Sequence, residues 1–313
     1  MTEPQQGLAY EEILGLARTA EEAGLEAFFR SDHYASFPGD AGLPTTDAWA
    51  TLAGLARETS TIALGVLVSP VTFRIPGSFA KVIQTVDEMS GGRIEVGVGA
   101  GWNDDEHAQL GIPFPPLAER YAMLEEQLAL LHGLWTEDDG WTFEGRHWQV
   151  RGSRRHGRVR SGPNGERRHP HLLLGGEGRE RMARLVAEYA DEINVVSATP
   201  EKVSAAYARV REACRQIGRD PDEIVYSAMT GVLVAETQGE LHERVADVMR
   251  AVAAGGDSDA WLGARRGRWI MGVGDEAWER VRALERAGVQ RIMLQDFIPR
   301  DLEHVRVMGR LFG

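Results

Sequence analysis

Residues Thr61–Phe73, TIALGVLVSPVTF, are apolar almost without interruption as far as Pro70. A strand with one wet face alternates apolar and polar side chains, so a continuous run describes a strand covered on both faces, as in a parallel sheet flanked by helices. The flanks agree. Upstream, Asp47 is placed to cap a helix that buries Trp49, Leu52, Ala53 and Ala56, and downstream Gly77–Met89 carries helical spacing. Strand-like runs and helical stretches alternate along the whole chain at intervals of ~40 residues or less, the pattern of repeated βα units. The expected fold is a (β/α)8 TIM barrel forming one domain over residues 1–313.

Tyr10, Ile13, Leu14, Ala17 and Ala20 share one helical face and Gly24 stops the helix before a short strand, Glu26–Arg30. Further strands are expected at Arg93–Val98, Pro170–Leu174, Glu192–Val196, Ile224–Ala235 and Arg291–Gln295, which with the two already named makes seven. The place of the first barrel strand holds only Met1–Gln6, too polar and short for a buried parallel strand. Either that strand lies ahead of Met1 or the barrel opens with a stub, so a stub or gap is expected there. Trp141–Val150, WTFEGRHWQV, reads as a hairpin inserted after the fourth unit. Cys214 falls on the apolar face of a helix with Val203, Tyr207 and Val210, which makes it a core residue.

Composition narrows the function. The chain has 313 residues, one cysteine and a net charge of -12. Disulfides and thiolate-rich zinc sites are excluded, and the overall field opposes binding to nucleic acid or anionic lipid. No apolar run has the ~18 residues of a membrane helix, and the polar N-terminus is no signal peptide. A cytoplasmic location is expected. Arg151–Arg168 holds seven arginines among glycine, serine and proline, and reads as a solvated loop.

Barrel active sites lie at the C-terminal ends of the strands. There the sequence offers Ser31-Asp32-His33-Tyr34, with a histidine able to exchange a proton near neutral pH. It offers Gly97-Val98-Gly99-Ala100-Gly101-Trp102, whose glycines let backbone approach a flat ring or a phosphate; Trp102 stands where the dinucleotide fingerprint needs glycine. Gly175-Gly176-Glu177-Gly178 leads into a helix N-terminus, which suits a phosphate, although two glycines also make a plain turn. There is no HExxH, GxSxG or Walker A motif, neither Lys81 nor Lys202 falls at a strand end, and Glu106 and His107 diverge by ~100° on a helix and cannot chelate together. No metal site is expected. What remains suits a planar cofactor.

SDHY (31–34), LGVLVSPVTFRIPG (64–77), DEMSGGRIEVGVGAGW (87–102), LGIPFPPLAERYAMLEEQLALLHGLW (110–135) and LLLGGEGRERMARLVAEYADEIN (172–194) together resemble the luciferase-like monooxygenase superfamily, and within it the coenzyme F420-dependent oxidoreductases. The resemblance implies a luciferase-like barrel, a homodimer, and hydride transfer between the deazaflavin and a small organic substrate. It places His33 against the reactive part of the deazaflavin and Val66 and Leu67 at a strand bulge with a non-prolyl cis peptide behind the ring. Ser69 would meet the ring edge, and Gly99, Ala100, Gly101, Gly175, Gly176, Glu177 and Gly178 the ribityl chain and phosphate. Glu177 must then point away from the anion. No basic cluster matches the sugar-phosphate clamp of the family's glucose-6-phosphate dehydrogenases, and the arginine-rich loop is a candidate contact for the acidic coenzyme tail. The alternatives are an FMN-dependent monooxygenase and a barrel that binds cofactor without turnover.

Overall fold

In the computed structural model the described residues are 1–154 and 169–313, so the arginine-rich segment lies, beyond Arg154, outside them. Helix α1 (Tyr10–Glu22) leads to strand β1 (Ala27–Arg30), α2 (Ala48–Glu58) to β2 (Ala63–Pro70) and α3 (Pro76–Ser90) to β3 (Ile94–Gly99). Helices α4 (Asp104–Leu110) and α5 (Leu117–Thr136) and a hairpin, β4 (Trp141–Glu144) and β5 (Gln149–Ser153), precede β6 (His171–Gly176). There follow α6 (Glu180–Tyr189), β7 (Glu192–Val195), α7 (Pro200–Ile217), β8 (Val225–Ala235), α8 (Gln238–Ala251) and α9 (Ser258–Gly263). The chain ends with β9 (Ile270–Val273), α10 (Asp275–Arg286), β10 (Arg291–Gln295) and α11 (Leu302–Phe312). Among the described residues no helix is long and apolar enough to cross a membrane.

The strands run parallel in the order β1-β2-β3-β6-β7-β8-β10, a nearly closed barrel. Sequence patterning anticipates these seven. It does not anticipate β9, four residues after an arginine- and glycine-rich stretch, which pairs with the upper half of β8. The first strand is a stub: Thr2 alone bridges Arg30 on one side and Asp296 on the other, leaving a seam between β1 and β10. Asp47 caps α2 as expected, accepting from the Ala50 N–H at 2.8 Å, and Cys214 is fully buried. Ile217, the last residue of α7, is 55% exposed.

Two layers fill the barrel. Phe29, Leu67, Leu173 and Met293 form an apolar centre. Below them Glu95, His171, Glu192 and Arg291, each within the first two residues of its strand, close the N-terminal end. Arg291 donates to Glu95 at 2.6 and 3.0 Å and to Glu192 at 3.1 Å, while His171 Nε2 lies 2.9 Å from Glu192. Glu95, His171 and Glu192 bring potential ligand atoms within 4.8 Å of one another. The guanidinium among them already supplies the positive charge, so the group is an ion-paired plug.

Candidate active site

The strand that decides the fold also shapes the site. β2 pairs regularly with β3 up to Val66, then slips and resumes at Ser69, and the Leu67–Val68 peptide within this bulge is cis. A bulge re-aims side chains locally, and here it swings Val68 across the ends of β3 and β6. A Cβ added at Gly99 would lie 2.8 Å from Val68 Cγ2, one at Gly175 2.8 Å from Val68 Cγ1, and one at Gly97 only 2.1 Å from the Val66 carbonyl oxygen. These glycines make room for the protein's own bulge. Reading them as clearance for a ligand is therefore corrected for Gly97, and for Gly99 and Gly175 the room is shared with Val68. Gly175 and Gly176 are the last residues of β6, paired with Asn194 and Val195, and so extend the strand beyond its expected end at Leu174.

His33 follows β1. Its Nδ1 lies 3.0 and 3.2 Å from the two carboxylate oxygens of Glu106, which also accepts from the Tyr34 N–H at 2.8 Å. Glu106 is 1% exposed, so this carboxylate fixes both the ring and its loop. With Nδ1 facing a carboxylate, Nε2 is the nitrogen left for other partners, and it makes no hydrogen bond among the described residues. Phe37 and Trp102 meet the imidazole edge-on at centroid distances of 4.5 and 5.6 Å. Trp102 is largely exposed.

A buried chain of polar groups ties this loop to the bulge. The Trp49 indole donates to Ser69 Oγ at 2.9 Å, and Ser69 donates to Asp32 Oδ2 at 2.7 Å. Arg74 grips Asp32 with both terminal nitrogens, at 2.5 and 3.2 Å, and donates to Asp47 at 2.5 Å and to the Tyr34 hydroxyl at 3.0 Å. Burial opposes charge on Arg74, but its two carboxylate neighbours outweigh that and raise its pKa; Asp47 is likewise held below its ordinary range by Arg74 despite burial. Ser69, expected at a ring edge, is 1% exposed with its hydroxyl committed to this chain.

The loop after β3 is held by Arg120, which donates to the Ala100 carbonyl at 3.0 Å. Gly101 adopts φ 76° beside Pro70, where a side chain would be strained. After β6, Gly178 takes φ 59° and abuts Ala206 of α7. Arg179, the residue preceding α6, offers no side-chain cap, so the first N–H groups of a 10-residue helix are left to other acceptors. Glu177 is exposed and paired with Arg179 at 2.8 Å and Lys202 at 3.7 Å; Arg179 chiefly holds its carboxyl below the usual range.

Val66, Leu67, Gly99 and Gly175 thus gather around Val68, and Ser69 links them to the His33 loop, whereas Glu177 and Gly178 serve local pairing and helix packing. Sequence reasoning missed Val68, Glu106, Arg74 and Phe37. The one signal for Glu106 was its acidic side chain on a short helix directly after a strand end, next to a histidine that points elsewhere. His107 is buried between Phe73 and Phe114, with Nε2 2.6 Å from Thr72 Oγ1.

Residues 1–291 match the luciferase-like monooxygenase family. The chain belongs to that family. An uncharacterized protein of Mycobacterium tuberculosis is 33% identical over 190 residues, 56% of this luciferase-like chain and 64% of its own length. An F420-dependent glucose-6-phosphate dehydrogenase of Nakamurella multipartita is 37% identical over 141 residues, 44% and 40% of the two chains. The aligned part thus spans less than two thirds of either relative. An F420-dependent secondary alcohol dehydrogenase superposes with TM-score 0.78 at 18% identity, covering 98% of this chain and 95% of that one. A monooxygenase from Streptomyces bottropensis superposes with TM-score 0.78 at 24% identity, covering 97% and 91%. At such identities these two likenesses speak for the luciferase-like fold alone.

Proposed function

We propose that this single-domain chain is an F420-dependent oxidoreductase that transfers a hydride between the deazaflavin and a small organic substrate. The observation that carries the reading is the His33–Glu106 pair at the barrel mouth, its Nε2 free, on a loop tied to the β2 bulge. The residues present fit a planar cofactor with a phosphate. Val68 and the bulge backbone offer a flat backing, Gly99, Ala100 and Gly101 an adjoining backbone wall, and the uncapped start of α6 after Gly176 an anion site. F420 is preferred to FMN because F420-dependent glucose-6-phosphate dehydrogenases are among the relatives, at 37% and 33% identity over 141 residues. A homodimer in the cytoplasm completes the reading.

When bound, the deazaflavin would supply a ring carbon that takes or gives the hydride. The chain's own residues do the rest. Glu106 holds Nδ1 of His33, so that Nε2 presents or withdraws a proton at the substrate atom whose charge changes. Asp32 and Arg74 keep the loop from drifting, and Trp102 with Phe37 excludes water from the imidazole face.

Titration with F420 and with FMN tests the cofactor, and His33→Ala tests the chemistry. The expected result is preference for F420, with His33→Ala retaining binding and losing turnover by ~10² to 10⁴-fold. Preference for FMN would replace hydride transfer by oxygen chemistry. A His33→Ala protein with unchanged binding and turnover would leave a barrel whose histidine does no chemistry.

A further inference from the structure

Glu106 orients the His33 ring, and α4 in turn places Glu106. This helix has seven residues, and the only side chains it buries are Glu106 and His107. No apolar residue of α4 is buried to anchor it, and a helix this short does not hold itself in place. At its start the Asn103 side chain accepts from the Asp105 N–H at 3.2 Å, and Gly111 ends it at φ 66°. Its placement against the barrel therefore rests on two polar side chains that leave the helix ~100° apart.

The second of these, His107, is 1% exposed. Its Nδ1 lies 2.6 Å from the Asn103 carbonyl oxygen, which can only accept, so Nδ1 carries the hydrogen. In the neutral ring Nε2 is then an acceptor, and the Thr72 hydroxyl donates to it at 2.6 Å. Phe73 and Phe114 close on the ring at centroid distances of 5.1 and 4.4 Å. Thr72 opens a run of three residues after β2 that reaches both halves of the His33–Glu106 pair. Thr72 holds α4 through His107, the Phe73 ring stacks on Tyr34 at 4.5 Å, and Arg74 grips Asp32. Asp32 and Tyr34 flank His33 in sequence.

We propose that His107 is a positioning residue for the His33–Glu106 pair, acting through the Thr72 hydroxyl. The Thr72–His107 hydrogen bond sets the rotation of α4, and with it the distance from Glu106 to His33 Nδ1; its bearing on catalysis rests on the proposed function. Released from Thr72, α4 keeps only the Glu106 contacts as a tie to the barrel and turns about them. The carboxylate then draws away from Nδ1, and His33 is no longer kept in the tautomer that carries its hydrogen there.

Thr72 is half-buried, so Thr72→Val removes the hydroxyl with little change of shape, and Thr72→Ser keeps it. Both full-length variants are compared with the parent by nitrogen NMR of labelled histidines, with His33→Gln assigning the His33 signals. In Thr72→Val, His33 should pass from the Nδ1–H tautomer alone to a mixture of the two, and Thr72→Ser should restore the parent spectrum. The Tyr34 amide, which donates to Glu106 at 2.8 Å, should exchange with deuterium at least about tenfold faster in Thr72→Val, while the Leu64 amide of β2 keeps its rate. An unchanged His33 tautomer in Thr72→Val would overturn the proposal, as would a Thr72→Ser spectrum like that of Thr72→Val. The spectra need no coenzyme, so either result strikes the positioning role alone, whereas a preference for FMN over F420 in titration strikes the proposed function alone.

Discussion

Gly97→Ala is the sharpest test of the bulge. A Cβ at this position stands 2.1 Å from the Val66 carbonyl oxygen and 3.1 Å from Val68 Cγ1. A carbon approaches a carbonyl oxygen to ~3.3 Å, so the two must separate by about 1 Å. The first obstacle is backbone of the adjoining strand, which no rotamer change removes. Overpacking of this kind costs about 3 kcal/mol, a fall in melting temperature of roughly 5 °C for a chain of this length. The displaced segment carries Leu67 and Val68, so under the proposed function F420 affinity should fall with stability. Gly15→Ala is the control, because a Cβ there meets nothing within 4 Å and Gly15 lies inside α1. It should stabilise by ~0.5–1 kcal/mol and leave F420 binding unchanged. Both are read by thermal melting and fluorescence titration. A Gly97→Ala protein that melts within about 1 °C of the parent and binds F420 equally would refute the assignment of these glycines to the bulge.

Arg74→Met should cost ~3–5 kcal/mol in urea unfolding, because it strands the buried Asp32 carboxylate, and adding Asp32→Asn should recover much of that loss; if the double variant is no more stable than the single, charge pairing is not what Arg74 supplies. In the basal plug, burial alone would lower the His171 pKa, but the hydrogen bond to Glu192 and the charges of Glu95, Glu192 and Asp191 raise it above 6.5. His171 therefore contributes stability that is complete below pH 6.5 and disappears as pH rises through its folded value, so unfolding free energy measured against pH should lose that slope in His171→Gln. Ser69→Ala leaves the Trp49 indole N–H without its acceptor and should cost ~1–3 kcal/mol, with turnover falling more than coenzyme affinity; a variant that loses affinity alone would place Ser69 at the cofactor instead.

The barrel was legible because its signals are local. The apolar run at Thr61–Phe73, the Asp47 cap and the spacing of α1 each state a structure within one turn or one strand, and the polarity of Met1–Gln6 states the stub. His33 was legible for the same reason, as a titratable residue directly after a strand. Its partner was not: Glu106 lies 73 residues away, and nothing in a single sequence sets that distance. Side-chain direction at Ser69 was hidden too, because the bulge between Val66 and Ser69 breaks the period of two from which direction is read. The glycines at 97, 99 and 175 announced close approach correctly, but sequence does not say what approaches.

The residues read as separate strand ends are one mechanical unit. Val68 lies one residue before Ser69, and Asp32 one residue before His33, so the 2.7 Å hydrogen bond from Ser69 to Asp32 joins the bulge to the histidine loop across two strands. Arg74 sits at the centre of the same chain and reaches Tyr34 on the far side of His33. His33 is thus fixed at the backbone from both sides and at the ring by Glu106, three constraints from β2, the segment that follows it, and α4. A histidine on a free loop would spend its time in many rotamers, whereas this one is held by Glu106, Phe37 and Trp102. A displacement of the bulge is therefore passed to the His33 loop through the same buried chain.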